Sequence, residues 1–207
     1  MESILTFLFS PTYFYADYRK NKVEAVSGKT ARTELIKKYN KRYLAASILL
    51  AIGLGATYQW NEYPEEYSII YSIVIGLIIW LFPFSRSNEI FYAFIKDALD
   101  KVSHKESHSE LKFSDRIRLA LNSYLELVVN FGLIFYLLPC EWFNNQLESM
   151  VDALYFSGVT ITTLGYGDFS PVHFVPQFLV VYEVFCGFIL LIVSFAIYSG
   201  RGLNEKA

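Results

Sequence analysis

Seven consecutive residues, Thr162-Thr163-Leu164-Gly165-Tyr166-Gly167-Asp168, have types and spacing suited to one kind of chemistry. That chemistry is the holding of a dehydrated cation by main-chain oxygen. A cation stripped of water needs a cage of oxygens, and backbone carbonyls supply it when successive residues aim C=O the same way. The required dihedrals are ones glycine accepts and other residues resist, so Gly165 and Gly167 alternate with bulkier neighbours. Thr163 adds a hydroxyl at the inner end. The side chains of Leu164 and Tyr166 are expected to point away from the oxygens and pack on a supporting helix. The four carbonyls of Thr163, Leu164, Gly165 and Tyr166 are the expected ion ligands, with Gly167 completing the strand. Nothing else competes. The chain has no Gly-rich phosphate loop, no nucleophile beside a base and no metal-ligand cluster. His104 and His108 stand four residues apart without further ligand-type partners. An enzyme is not expected, nor a cofactor, a small-molecule substrate or a nucleic acid.

Such a cage works only if something holds it inside a membrane. Met150–Thr160 has one acidic residue and directly precedes the run, so it reads as a short helix entering the membrane partway. Its C-terminal end would aim the negative end of its dipole at a cation. Re-entrant backbone is tolerated at that depth only when buried in protein or lining water. The rest of the chain agrees with a membrane setting. Hydrophobic residues make up 54%, charged residues 18%, and the mean hydropathy is +0.31. A soluble globular protein carries about 25% charged residues. Tyr43–Trp60 and Tyr67–Phe84 are each uncharged for 18 residues. At the helical rise each spans about 27 Å, enough for a hydrocarbon core. Leu119–Leu138 is interrupted by Glu126 alone and Phe174–Ser199 by Glu183 alone. The expected fold is all-α, with four transmembrane helices and a re-entrant pore helix and filter between the third and fourth.

The basic residues orient the chain. Of 18 Lys and Arg, nine fall in 1–42, seven in 85–118 and two in the tail, while Asn61–Glu66 and Pro139–His173 have none. By the positive-inside rule both termini are cytoplasmic and the filter is entered from outside. The segments are then a cytoplasmic 1–42, an outer hairpin 43–84, a cytoplasmic amphipathic linker 85–117, a pore domain 118–200 and a tail 201–207. Within the linker, Asn88–Val102 reads as a helix lying on the inner membrane surface. Met1–Tyr18 is aromatic and apolar without a basic start or cleavage site, so an interfacial segment is expected rather than a signal peptide. With few residues after the last span in this sequence, no nucleotide- or calcium-binding domain is expected there.

Over roughly Leu119–Gly200 the chain resembles the potassium channel family, specifically bacterial-type pore-domain subunits. The string Thr163-Leu164-Gly165-Tyr166-Gly167-Asp168 stands where the family has its selectivity filter. The resemblance implies a potassium-selective channel subunit that conducts K⁺ passively as the permeant ion. One filter strand cannot encircle an ion, so a homotetramer is implied, embedded in lipid as a multi-pass protein of the plasma or inner membrane. The family's aromatic cuff corresponds to Tyr155 and Phe156, and Tyr155 is expected to brace Asp168. Many bacterial members have a glutamate where this chain has Val159, so that brace is missing. Gly187 stands at the spacing of the inner-helix hinge, although a small residue there also serves tight helix packing. Phe188, Leu191, Phe195 and Ser199 are implied to line the pore. Glu183 is expected behind the filter, bonded to the pore helix. The alternatives are a non-selective cation channel and a non-conducting membrane sensor or interaction protein. The first two spans lack regularly spaced arginines and so make no charge-moving voltage sensor.

Two further readings stay open. Glu126, with Asn122 and Asn130 four residues to either side, is helix–helix glue or a proton- or ligand-sensing site. Cys140, outside, is a free thiol or an intersubunit bridge.

Overall fold

A computed structural model of the chain describes residues 2–56, 68–103 and 109–193. In chain order the described helices are α1 (Glu2–Phe9), α2 (Pro11–Ala56), α3 (Ser68–Ile79), α4 (Ser85–Val102), α5 (Phe113–Leu137), α6 (Met150–Ile161) and α7 (Phe174–Phe188). The described residues contain one isolated antiparallel bridge, Phe143 to Pro171, and no longer strand. Among the described residues, three helices are long and apolar enough to cross a membrane: Ile73–Asp100, Phe113–Leu137 and Phe174–Leu191. The chain is a membrane protein. The expected span Tyr43–Trp60 is helical to Ala56, and its last four residues lie outside the described residues.

α2 is broken at Gly28, whose φ of 80° and ψ of −178° belong to a region essentially reserved for glycine. The break reverses the chain. Arg32 donates to Asn21 and to Glu24, at 2.8 and 2.6 Å. Eleven residues of straight helix would separate Arg32 from Asn21 by about 16 Å. The 29–56 arm packs along α5, where Asn40 donates to Ser123 at 2.9 Å and Ser47 to Asn130 at 2.7 Å. The 11–27 arm turns back onto the start of α4. There the Ser10 hydroxyl donates to the Ser85 carbonyl at 2.7 Å and the Thr12 amide to the Ser85 hydroxyl at 2.9 Å.

No loop separates α3 from α4. They join through a π-helical turn, Trp80–Phe84, that carries Pro83. The widened turn accommodates a proline, which has no N–H to give and would clash with the preceding turn of a regular α-helix. The sequence predicts a span that ends at Phe84 and a separate in-plane helix from Asn88. The structure runs one helix through both because the polar residues at the junction are not facing water. Ser85, Arg86, Ser87 and Glu89 are all buried, at 0, 5, 0 and 2% exposure. They form a polar seam beneath the 11–27 arm and against α5. Arg86 bonds Glu126 of α5 through Nε at 2.7 Å and Nη2 at 3.2 Å, pairs with Glu89 at 2.8 Å, and stands 4.3 Å above the Tyr43 ring. Lys20 comes to Glu89 from the arm at 3.7 Å. Burial pushes the Lys20 ammonium below the usual lysine range, with Glu89 opposing the shift. A cavity of about 220 Å³ lies beside this seam, between the arm, α4 and the start of α5.

The core lies between α5, α6 and α7. The Phe135 and Phe156 rings meet edge to face at 4.9 Å, and Phe143 closes on both at 6.2 and 5.6 Å. In lipid these contacts act through close packing, because transfer from water no longer drives helix association. Gly132 makes the approach of α5 to α6 possible, since a Cβ there would stand 2.8 Å from Leu154 Cδ2 and 3.2 Å from Leu154 Cα.

Candidate ion-conduction site

The site begins with a well-started helix. Ser149 caps α6: its hydroxyl accepts from the Asp152 amide at 3.1 Å, and Asp152 accepts from the Ser149 amide at 2.9 Å. This reciprocal box satisfies donors that a helix start otherwise leaves open. α6 ends at Ile161, and the Thr162 hydroxyl folds back to the Gly158 carbonyl at 2.6 Å. The Leu164 and Gly165 amides both reach the Val159 carbonyl, at 2.9 and 3.2 Å. The run is therefore tied to the last turn of the helix that precedes it.

Along the run the backbone has positive φ at Thr163 (60°), Gly165 (53°) and Gly167 (80°), alternating with Leu164 and Tyr166. Every second residue is thus left-handed. The sequence marked the two glycines; it did not mark Thr163, where a β-branched residue holds a strained conformation. A Cβ on Gly165 or Gly167 would meet nothing within 4 Å. Within the single chain, backbone conformation, not space, requires glycine there.

Leu164 and Tyr166 do not pack on α6 of their own chain. They are 61 and 67% exposed. Behind the run, the Tyr155 phenol faces the Asp168 carboxylate and its ring stands 6.1 Å from that of Phe169. Phe156 points the other way, into the core. The outer end is clamped by residues the sequence reading passed over. Asn145 donates its side-chain amide to the Asp168 carbonyl, and Asn144 accepts from the Ser170 amide at 2.6 Å. The Val172 amide bonds the Trp142 carbonyl at 2.8 Å, and Trp142 stacks on His173 at 3.9 Å. Two adjacent asparagines before a capped helix are a turn signal, the one hint the sequence held.

Glu183 of α7 is fully buried and touches α6 through Ser157, whose hydroxyl lies 2.5 Å from Oε1 and 2.9 Å from the Val128 carbonyl of α5. Gly187 is buried against α6, where a Cβ would stand 2.7 Å from Ile161 Cγ1. A π-helical turn, Ile189–Val193, follows directly after α7. Phe188 is 48% exposed and Leu191 half-buried, while Phe195 and Ser199 lie outside the described residues, as do His104 and His108. Glu126 forms the buried pair with Arg86. Asn130 accepts from Ser47, and Asn122 donates to Asn40 at 3.0 Å, so both are in bonds to α2. Cys140, in the short turn Cys140–Trp142, is unpaired within the chain.

A capped half-length helix, a left-handed alternation at its C-terminus and a following apolar helix occur together at one place. The model of the family described as ion channel matches residues 123–201, the stretch that contains all three. The likeness to ion channels lies in that stretch. Ion channels of this kind are not enzymes. Potassium channels are among the proteins this chain resembles. Two-pore potassium channel 2 of Arabidopsis thaliana is 33% identical over 94 residues, 44% of this chain and 21% of the relative. Two-pore potassium channel 1 of the same plant is 39% identical over 69 residues, 33% of this chain and 19% of the relative. The chain spans about a fifth of the length of these curated relatives. No solved structure matches it.

Proposed function

We propose that the chain is a subunit of a potassium-selective channel that conducts K⁺ passively through a filter lined by the carbonyls of Thr163, Leu164, Gly165 and Tyr166. The observation that carries this reading is the alternation of positive φ at Thr163, Gly165 and Gly167 at the C-terminus of α6. Left-handed residues at every second position let consecutive carbonyls share one direction, which a carbonyl cage requires. Ions would pass in file, held strongly enough to enter and weakly enough to leave.

One chain supplies one wall of such a cage, so four copies around a cyclic axis complete it. The exposure of Leu164 and Tyr166 supports assembly, as does an apolar stripe on α7. That stripe, Phe174, Phe178, Val181 and Phe185, is 59 to 71% exposed. Neighbouring subunits would cover these side chains. Re-entry of α6 from outside, cytoplasmic termini and residence in the plasma or inner membrane complete the reading. The orientation rests on the placement of all 18 basic residues to one side, and the choice of membrane on the family resemblance.

The test is ion flux from liposomes holding the purified chain, with K⁺ or Na⁺ as the sole permeant cation. K⁺ flux that exceeds Na⁺ flux and is blocked by Ba²⁺ supports the proposal. Equal fluxes of the two cations would overturn selectivity and leave a non-selective pore.

A further inference from the structure

The 11–27 arm of α2 has two unlike faces. Inward, Ala16 is fully buried, Tyr13 meets Tyr92 edge to face at 4.8 Å, and Lys20 reaches Glu89. Outward stand Phe14, Tyr15 and Tyr18, at 42, 52 and 58% exposure, followed by the exposed Arg19 and Lys22. These positions, i, i+1, i+4, i+5 and i+8, lie along one side of a helix. Phe7 meets Phe14 at its near end, and Tyr15, Tyr18, Arg19 and Lys22 stay exposed.

The outward face does not end with the arm. The Phe7 ring stands edge-on to Phe14 at 5.8 Å and to Trp80 at 6.1 Å, and the Trp80 indole donates to the Leu8 carbonyl at 2.8 Å. Trp80 directly follows α3, whose Ile73, Val74, Leu77 and Ile78 are exposed apolar side chains on a membrane-spanning helix. An aromatic surface therefore continues from the side that a spanning helix turns to lipid, and finishes in two cations. Aromatic rings that are apolar with a polar edge settle at the headgroup level, and basic side chains beside them are drawn to anionic lipid.

We propose that this face docks on the adjacent membrane leaflet, with Phe14, Tyr15 and Tyr18 at headgroup depth and Arg19 and Lys22 on anionic phospholipid headgroups. The arm is held ready for that contact. The bonds of Ser10 and Thr12 to Ser85 and the Lys20–Glu89 pair fix its inner side, so its outer side faces one way. The inference needs the chain to lie in a membrane and is independent of which ion the pore passes.

The test uses the full chain with Cys140→Ser and Tyr18→Cys, labelled there with an environment-sensitive bimane. Cys186, at 1% exposure, stays as it is. The protein is placed in vesicles of phosphatidylcholine alone or with phosphatidylglycerol added. The expected result is blue-shifted emission, quenched by lipid carrying a headgroup nitroxide, and more so with phosphatidylglycerol. Arg19→Glu with Lys22→Glu returns the emission toward that in water, each lost cation weakening docking about fivefold. A Tyr15→Cys label repeats the measurement should Tyr18→Cys fail to fold. Water-like emission in both vesicle types overturns the proposal. So does a dry environment that persists in detergent and deepens with protein concentration, because a second copy of the chain would then be the occupant.

Discussion

The Ser157 hydroxyl lies 2.5 Å from Glu183 Oε1, and within the single chain this contact is the hydrogen bond that carries the buried carboxyl of α7 onto α6. Glu183 Oε2 has no partner among the described residues. Leaving a buried polar group unpaired costs about 1–3 kcal/mol. Ser157→Ala is expected to lower the thermal stability of the detergent-solubilised protein by that amount. Glu183→Gln, which keeps a group able to bond Ser157, is expected to cost under about 1 kcal/mol. Equal melting of Ser157→Ala and the parent would show that the contact contributes nothing.

Arg86 is a buried cation between two buried carboxylates, Glu126 and Glu89. Removing one partner of such a set strands the others, at about 3–5 kcal/mol. Arg86→Met should therefore destabilise strongly. Arg86→Met combined with Glu126→Leu should recover a large part of the loss, because the pair leaves together. Thermal unfolding of the two single variants and the double variant, read as a cycle, measures the coupling. Additive losses would mean the pair does not act as a unit.

Gly165 stands at φ 53° with open space where a Cβ would lie. Gly165→Ala meets no clash, only the penalty of a left-handed L-residue, about 1–2 kcal/mol. The variant is expected to assemble as the parent does, by size-exclusion chromatography, and to lose K⁺ flux in liposomes. Retained flux would count against a carbonyl-lined path.

Gly28 offers a sharper test of backbone strain. Its ψ near 180° puts it outside the left-handed helical region that asparagine tolerates. Gly28→Asn and Gly28→Ala are thus both expected to cost about 1–3 kcal/mol, with little to choose between them. A disulfide trap between Ser10→Cys and Ser85→Cys reports whether the arm still docks. Slower closure in both variants is the expected outcome, and a clear rescue by asparagine alone would contradict the geometry.

The glycine alternation and the helix before it were legible because both are local. A glycine alternation and a Ser149–Asp152 cap lie within a few residues, and the observed α6 ends one residue past the expected Thr160. The long apolar helices followed from composition over windows of similar length. Arg86 was not legible as a partner of Glu126, since 40 residues separate them and spacing along a chain says nothing about which helices meet. The same holds for Asn145 and Asp168, 23 residues apart. The junction at Ser85 misled for a related reason. A polar stretch after an apolar run reads as a surface linker, and only tertiary contact turns it into a buried seam. Thr163 was overlooked as a strained residue because its type does not advertise positive φ. Gly132 was overlooked because a glycine within an apolar helix gives no sign of what it faces.

The reversal at Gly28 also sets an order of events. Ser10 finds its partner 75 residues later, at Ser85, and Arg86 cannot be neutralised by Glu126 until a further 40 residues have been made. Synthesis runs from the N-terminus, so the 11–27 arm can meet Arg32 early but has no Ser85 or Glu89 to dock on until α4 has emerged. The 11–27 arm therefore docks on a site that lies some 75 residues further along the chain.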